Sequence, residues 1–250
     1  MFVICWCVNH AKIFVTFGGG GSHYEEAADR ISKQISELCL FDNIVAFKAH
    51  NLQEDTDFWN KHGDFIINNK RGYYLIQKTM KKMKNGDILF YSDCGNEFDD
   101  SNKLNLEKMF NVVCRDFILG VPTQIEKVWC KKDLANYFSL SDEKMSTPQF
   151  QSGQILLNVN DTTRKLINEW YDLACDYHNI DDSPSEAENL HCFQEHRHDQ
   201  SVLSLLIKKY DLESKNHLRA CVHILRNKNG KSRLKNQGCF FSCTIFFKKT

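Results

Sequence analysis

A chain of 250 residues, 42% hydrophobic and 26% charged, has the composition of a soluble globular protein, which excludes disordered and fibrous classes. Three prolines and the lack of a Gly/Ser-rich linker favour one domain spanning 1–250. The net charge is zero but unevenly spread. No Asp or Glu follows Glu213, and Lys215, Arg219, Arg226, Lys228, Lys231, Arg233, Lys235, Lys248 and Lys249 make the tail basic, with an equal negative excess before it. Such a tail suits phosphate, membrane headgroups or nucleic acid, or is simply a solvated end. Eleven cysteines are scattered without a CxxC pair; Cys5-x-Cys7 and Cys239-x₃-Cys243 fit no common zinc spacing. An odd count without a secretory signal leads us to expect reduced thiols in a cytoplasm-like compartment. The apolar runs 1–8 and 239–247 are too short to span a bilayer. The second reads as a final strand or as an interfacial segment with Lys248 and Lys249 at the headgroups.

In chain order, residues 12–17 (KIFVTF) read as a first strand. Gly18 to Gly21 follow, then a helix over 23–38 with Ala27, Ile31, Ile35 and Leu38 on one face. Strand, glycine turn and helix open a nucleotide-binding α/β unit. The run matches neither GxGxxG nor the P-loop pattern, so neither of those folds is read from it. Residues 44–47 form a second strand, and 51–69 a long polar loop with short helical turns anchored by Phe58, Trp59, Phe65 and Ile66. A helix over 71–84 carries Tyr73, Ile76, Met80 and Met83 on one stripe and closes at Asn85-Gly86. A strand over 87–92, a short helix over 104–110 and a strand over 117–121 come next. A helix over 125–138, a strand over 150–159, a helix over 162–177, a loop over 179–188 and an apolar helix over 202–210 follow. The last 40 or so residues show no clear period. Strands alternate with helices, which predicts an α/β sandwich around a mainly parallel sheet.

Three places carry candidate chemistry. The stretch 87–100 (DILFYSDCGNEFDD) runs four apolar or aromatic residues into an acidic cluster, delivering Asp93 to the carboxyl end of a buried strand. Ligands of open α/β sheets bind at such ends. A carboxylate there suits a hard cation that bridges two phosphates, or is an acidic turn alone; Glu97, Asp99 and Asp100 are close by in sequence. The second place is His196-Arg197-His198-Asp199-Gln200, a ligand-binding corner or a solvated helix cap. With His191 and Cys192 it matches no standard zinc spacing. The third is Gln151-Ser152-Gly153-Gln154, where a glycine lets a sugar or a backbone come close.

These segments together resemble GT-A type glycosyltransferases of a bacterial and viral group. The run VTFGGG (15–20) resembles their first strand and nucleotide loop, and NKRGYY (69–74) the segment ahead of their metal strand. DILFYSDCG (87–95) resembles the strand ending in a variant DxD motif, with Gly95 in the second acidic position. QFQSGQILLNV (149–159) is similar to their acceptor-side strand and RHDQSVLSLL (197–206) to their HDQS helix start.

The resemblance implies a single Rossmann-like domain, with 1–100 as the nucleotide half, 101–213 as the acceptor half and 214–250 as a basic tail. It implies sugar transfer from a UDP- or GDP-linked donor to a glycan or other hydroxyl, assisted by Mn²⁺ or Mg²⁺. Phe17, Gly18, Gly19 and Gly20 would line the nucleotide, and Arg71 would reach the diphosphate. Asp93 and Gly95 would mark the metal site, completed by the donor's phosphates or ribose or by His217 or His223. Asp199 and Gln200 would face the reacting centre, Asp199 as general base if the reaction inverts. No nucleic-acid partner is expected, and membrane contact falls to the tail. A sugar nucleotidyltransferase is the other enzymatic reading, although no Arg or Lys follows Gly18–Gly21. The departure at Gly95 keeps open a non-catalytic nucleotide-sugar or glycan binder.

Overall fold

The computed structural model describes residues 10–69 and 73–234. The apolar runs 1–8 and 239–247, both close cysteine pairs, Arg71, Lys235, Lys248 and Lys249 lie outside the described residues.

The chain opens with strand β1 (Lys12–Gly18), helix α1 (Ser22–Leu38) and strand β2 (Asn43–Lys48). Helices α2 (Ala49–Gln53), α3 (Thr56–Asn69) and α4 (Tyr73–Met80) lead to strand β3 (Ile88–Ser92) and helix α5 (Asp100–Asp116). Short strands β4 (Ile118–Leu119) and β5 (Pro122–Ile125), helices α6 (Lys132–Phe138) and α7 (Asp142–Met145), and strands β6 (Pro148–Phe150) and β7 (Gln154–Asn158) follow. Helices α8 (Asp161–Ala174) and α9 (His198–Lys209) complete the regular elements.

The central sheet has the order β2-β1-β3-β7-β4. β1 pairs in parallel with both β2 and β3, whereas β7 runs antiparallel to β3 and to β4. Four of the five strands therefore point the same way, in agreement with the mainly parallel sheet predicted. Alternation of side chains along the strands explains the layering. Val15, Leu89, Tyr91 and Leu157 enter one apolar cluster with residues of α4, α8 and α9. Phe14, Ile88, Phe90 and Leu156 enter the other with residues of α1 and α5. Both sheet faces are covered, which is why these strands read as near-continuous apolar runs. Each fully buried Phe or Leu contributes about 1.5–3 kcal/mol of transfer free energy.

Three expectations change. The polar stretch 51–69 is largely helical, not a loop, because one buried ring suffices to anchor α3: Phe58 stacks on Tyr74 at 3.5 Å and 7°. The expected helix 125–138 is divided into the end of β5, a 3₁₀ turn at Glu126–Val128 and α6. Glu126 is fully buried and paired with the equally buried Lys208 at 2.9 Å, which holds the chain in a turn there. The expected strand 150–159 breaks at residues 151–153, so that β6 pairs with β5 in a separate two-stranded ribbon.

The tail up to residue 234 is packed, not merely solvated. His223 bridges Glu97 through paired backbone bonds of 2.9 and 3.0 Å. The Arg30 guanidinium donates to the carbonyls of Cys94 (2.6 Å), Asn96 (3.1 Å), Asn227 (3.1 Å) and Asn229. The buried Glu97 carboxylate accepts from Asn227 Nδ2 (2.6 Å), Gln34 Nε2 (3.1 Å), the Arg233 N–H (3.0 Å) and Ser232 Oγ. Among the described residues no helix is long and apolar enough to cross a membrane.

Burial alone would raise the Glu97 carboxyl, but its hydrogen bonds outweigh that and hold it at about 2. A folded value below the unfolded one stabilises the fold above the ordinary carboxylate range, and that stability is lost as pH falls towards 2. Glu97→Ala is expected to cost about 3 kcal/mol, or roughly 6–10 °C in Tm at neutral pH. Melting curves recorded from pH 6 down to pH 2 should converge for the two proteins, and a constant gap across that range would refute the assignment.

Candidate functional site

A cavity of about 450 Å³ opens at the carboxyl ends of β1 and β3, next to the first residue of β7. Phe17, Gly19 and Tyr24 form its wall from β1 and α1, and Asp93 to Asn96 form the wall beyond β3. The turn 151–154, the start of α9 and the tail close the remaining sides. Of the residues singled out from the sequence, the structure brings Phe17, Gly19, Asp93, Gly95, the turn 151–154, Arg197 and Gln200 together on this lining.

Asp93 leaves the buried strand as an exposed side chain. Its N–H donates to the Gly153 carbonyl at 2.9 Å, and its Oδ1 accepts from the Tyr91 hydroxyl at 3.0 Å. Tyr91 is buried, and burial, reinforced by the Asp93 charge, pushes its phenol well above the ordinary range. It therefore stays a proton donor to the carboxylate. Asn96 Nδ2 donates to Ser92 Oγ (2.9 Å) and to the Gly153 carbonyl (3.2 Å), so the loop and the turn are one unit. A Cβ on Gly153 would lie 2.6 Å from Asp93 Oδ2, so this glycine provides the space the carboxylate occupies.

Gly95 lies beneath the tail. Its carbonyl accepts the Asn227 N–H at 2.7 Å, and a Cβ at this position would stand 3.3 Å from Arg226 Cα. Gly18 packs against Tyr24 and Ala28 of α1, and Gly20, at φ +89°, is not part of the lining.

The start of α9 presents Arg197 and Gln200. The Arg197 guanidinium stacks over the Trp129 ring at 4.1 Å, and its buried Nε has no partner among the described residues. Gln154 Oε1, on the same lining, is also buried without one. Gln200 Nε2 donates to Gln149 Oε1 at 2.8 Å. Gln149 Nε2 in turn donates to Glu126 Oε1 (2.6 Å) and Ser201 Oγ (3.0 Å), and Glu126 is held by Lys208. This relay fixes the Gln200 amide with its oxygen turned away from Gln149.

Several expected residues are placed elsewhere. Asp199 is buried outside the lining, and its backbone carbonyl accepts the Trp170 indole N–H at 2.9 Å. The His223 ring meets Asp99 Oδ1 (3.2 Å) and Ser101 Oγ (3.4 Å), beside the start of α5. His217 is exposed and off the lining. His196 is engaged by the Asn179 carbonyl at 2.8 Å and His198 by Asp182 at 2.6 Å. Among the described residues no three His, Cys, Asp or Glu side chains come together, and Asp93 is the one acid on the lining. One carboxylate is a sparse donor set for Mn²⁺ or Mg²⁺, hard cations that would have to take their remaining ligands from phosphate and water. Sequence reasoning missed Arg226 and Lys228 as site residues. They also line the cavity, and the charge asymmetry of the tail was the available signal.

No protein-family model matches this chain, and no curated protein matches it. Solved structures similar to it include mouse xyloside xylosyltransferase 1 in its apo form, at 12% identity over 82% of this chain and 83% of that one, with a TM-score of 0.44. Another is galactosyltransferase LgtC in complex with donor and acceptor sugar analogs, at 10% identity over 78% of this chain and 70% of that one, with a TM-score of 0.43. Likeness at this level assigns neither family nor activity.

Gly153→Ala is expected to cost about 1–3 kcal/mol through overpacking and to turn the Asp93 carboxylate out of its position. Thermal melting and a crystal structure of the variant check this; an unmoved Asp93 with an unchanged Tm would show that the space at Gly153 is not what the carboxylate needs.

Proposed function

We propose that this protein is a glycosyltransferase that moves a sugar from a nucleoside-diphosphate donor to a hydroxyl acceptor, as its motif resemblance implies. The observation that carries the reading is the composition of one cavity. At the carboxyl ends of β1 and β3, Asp93 shares the lining with Arg197, Arg226 and Lys228. Its volume of about 450 Å³ suits a small-molecule ligand. The aromatic rings of Phe17 and Tyr24 offer a nucleoside an apolar wall, and the cations suit its phosphates.

The chemistry follows from that arrangement. The bond between the sugar C1 and the phosphate oxygen breaks, and its electron pair leaves with the diphosphate. An acceptor hydroxyl forms the new bond to C1. Asp93, kept hydrogen-bonded by Tyr91, is the carboxylate on this wall that can accept that hydroxyl's proton. This replaces the role expected of Asp199, which is buried off the lining. Gln200, locked by Gln149, presents its amide oxygen to sugar hydroxyls.

The test is a panel of UDP- and GDP-sugars with glycan acceptors, read as free nucleoside diphosphate. Asp93→Asn keeps the shape of the side chain and is expected to lower release by about 100-fold or more, with little change in Tm. Donor binding without release in the presence of acceptors would instead identify a binding protein. Consumption of nucleoside triphosphate and sugar 1-phosphate would identify a sugar nucleotidyltransferase.

A further inference from the structure

The lining carries three cationic side chains, Arg197, Arg226 and Lys228, against the single carboxylate of Asp93; Arg197 also faces Glu195, off the lining, at 3.6 Å. Two of the three belong to the tail, and the tail's path is fixed. Arg30 holds the carbonyls of Asn227 and Asn229 on one side of the loop after β3. Glu97 holds the side chains of Asn227 and Ser232 on the other. Between these anchors the backbone of Arg226 lies against Gly95, where a Cβ would come within 3.3 Å of Arg226 Cα. By the motif resemblance, Gly95 stands at the position of a second acid. An acid side chain there and the tail in its present course compete for the same space. Arg197 adds a guanidinium steadied by Trp129.

We propose that the diphosphate of the donor is held and neutralised by Arg226 and Lys228 of the tail together with Arg197, with no resident divalent cation. The inference rests on the nucleotide-sugar reading above. The electrostatics favour it: positive charge fixed around the phosphates stabilises the electron pair that departs with the diphosphate. A divalent ion in the same cavity would find one protein carboxylate, Asp93, and would compete with Arg226, Lys228 and Arg197 for the same phosphate oxygens. Arginine can grip two phosphate oxygens at once, and lysine adds a point charge that follows the leaving group. Lys228 Nζ already rests 5.6 Å from the centre of the Tyr24 ring, on the wall assigned to the nucleoside.

Calorimetric titration of the full chain with UDP and GDP, in excess EDTA and then with added Mn²⁺, tests the proposal. The expected result is a Kd in EDTA within about threefold of the Kd with metal. Arg226→Gln and Lys228→Gln should each weaken binding by about tenfold in EDTA, with unchanged Tm, since both side chains are exposed. Binding that disappears in EDTA and returns with Mn²⁺ would overturn the inference and leave the nucleotide-sugar reading standing. Binding in EDTA that is indifferent to both substitutions would also overturn it. No binding of either nucleotide under any condition would overturn the inference and the reading beneath it.

Discussion

Two buried charges that never pair with each other hold this molecule's site together. Arg30 comes from α1 and Glu97 from the loop after β3, and the tail runs over both. Burying an ion costs several kcal/mol unless hydrogen bonds replace its hydration shell. Here the replacement comes from backbone carbonyls around Arg30 and from amide and hydroxyl donors around Glu97. Burial still pulls the Arg30 guanidinium below its ordinary value, with the Glu97 charge opposing that shift. Neither ion has a full shell without the tail. The segment from 223 to 233 is thus a structural part of the domain, and the cations it carries are positioned by its anchors.

A second buried pair does comparable work on the other side of the cavity. Lys208 and Glu126 are both shielded from water, so Glu126 must spend its remaining lone pairs on Ser204 and Gln149. That demand dictates which way the Gln149 amide faces, and Gln149 then dictates the orientation of Gln200. The polar lining of the cavity is therefore set by hydrogen-bond accounting in the core behind it. A one-sided change in such a network leaves a buried group unsatisfied, which costs more than the bond itself contributes.

What the sequence revealed follows from range. β1, β3 and the core face of α1 were legible because Phe14, Val15, Leu89 and Phe90 are apolar in unbroken runs and Ala27, Ile31 and Ile35 recur at helical spacing. Asp93 was legible for the same reason, as a carboxylate placed where an apolar run ends. The turn at 126–128 was hidden, since its cause is Lys208, some 80 residues later. The closeness of Gly95 to the tail was hidden, because the atoms it makes room for belong to Arg226. The burial of Asp199 and the arrival of Arg226 and Lys228 at the cavity are likewise decided by packing between distant segments. Local periodicity carries no record of that.

The separation between Arg30 and its tail partners has a kinetic consequence. Their contact closes a loop of 199 positions. Contacts of such high sequence separation are made late, after local helices and the central strands have paired. On a ribosome the sheet, complete by Asn158, can assemble before the segment from 223 to 233 is made, leaving Arg30 and Glu97 hydrated and the cavity open along one side. The final stitch arrives only once the segment carrying Asn227 and Asn229 has been made. A partly made chain that stops before Arg226 and Lys228 thus carries the pocket's floor without two of the three cations of its lining.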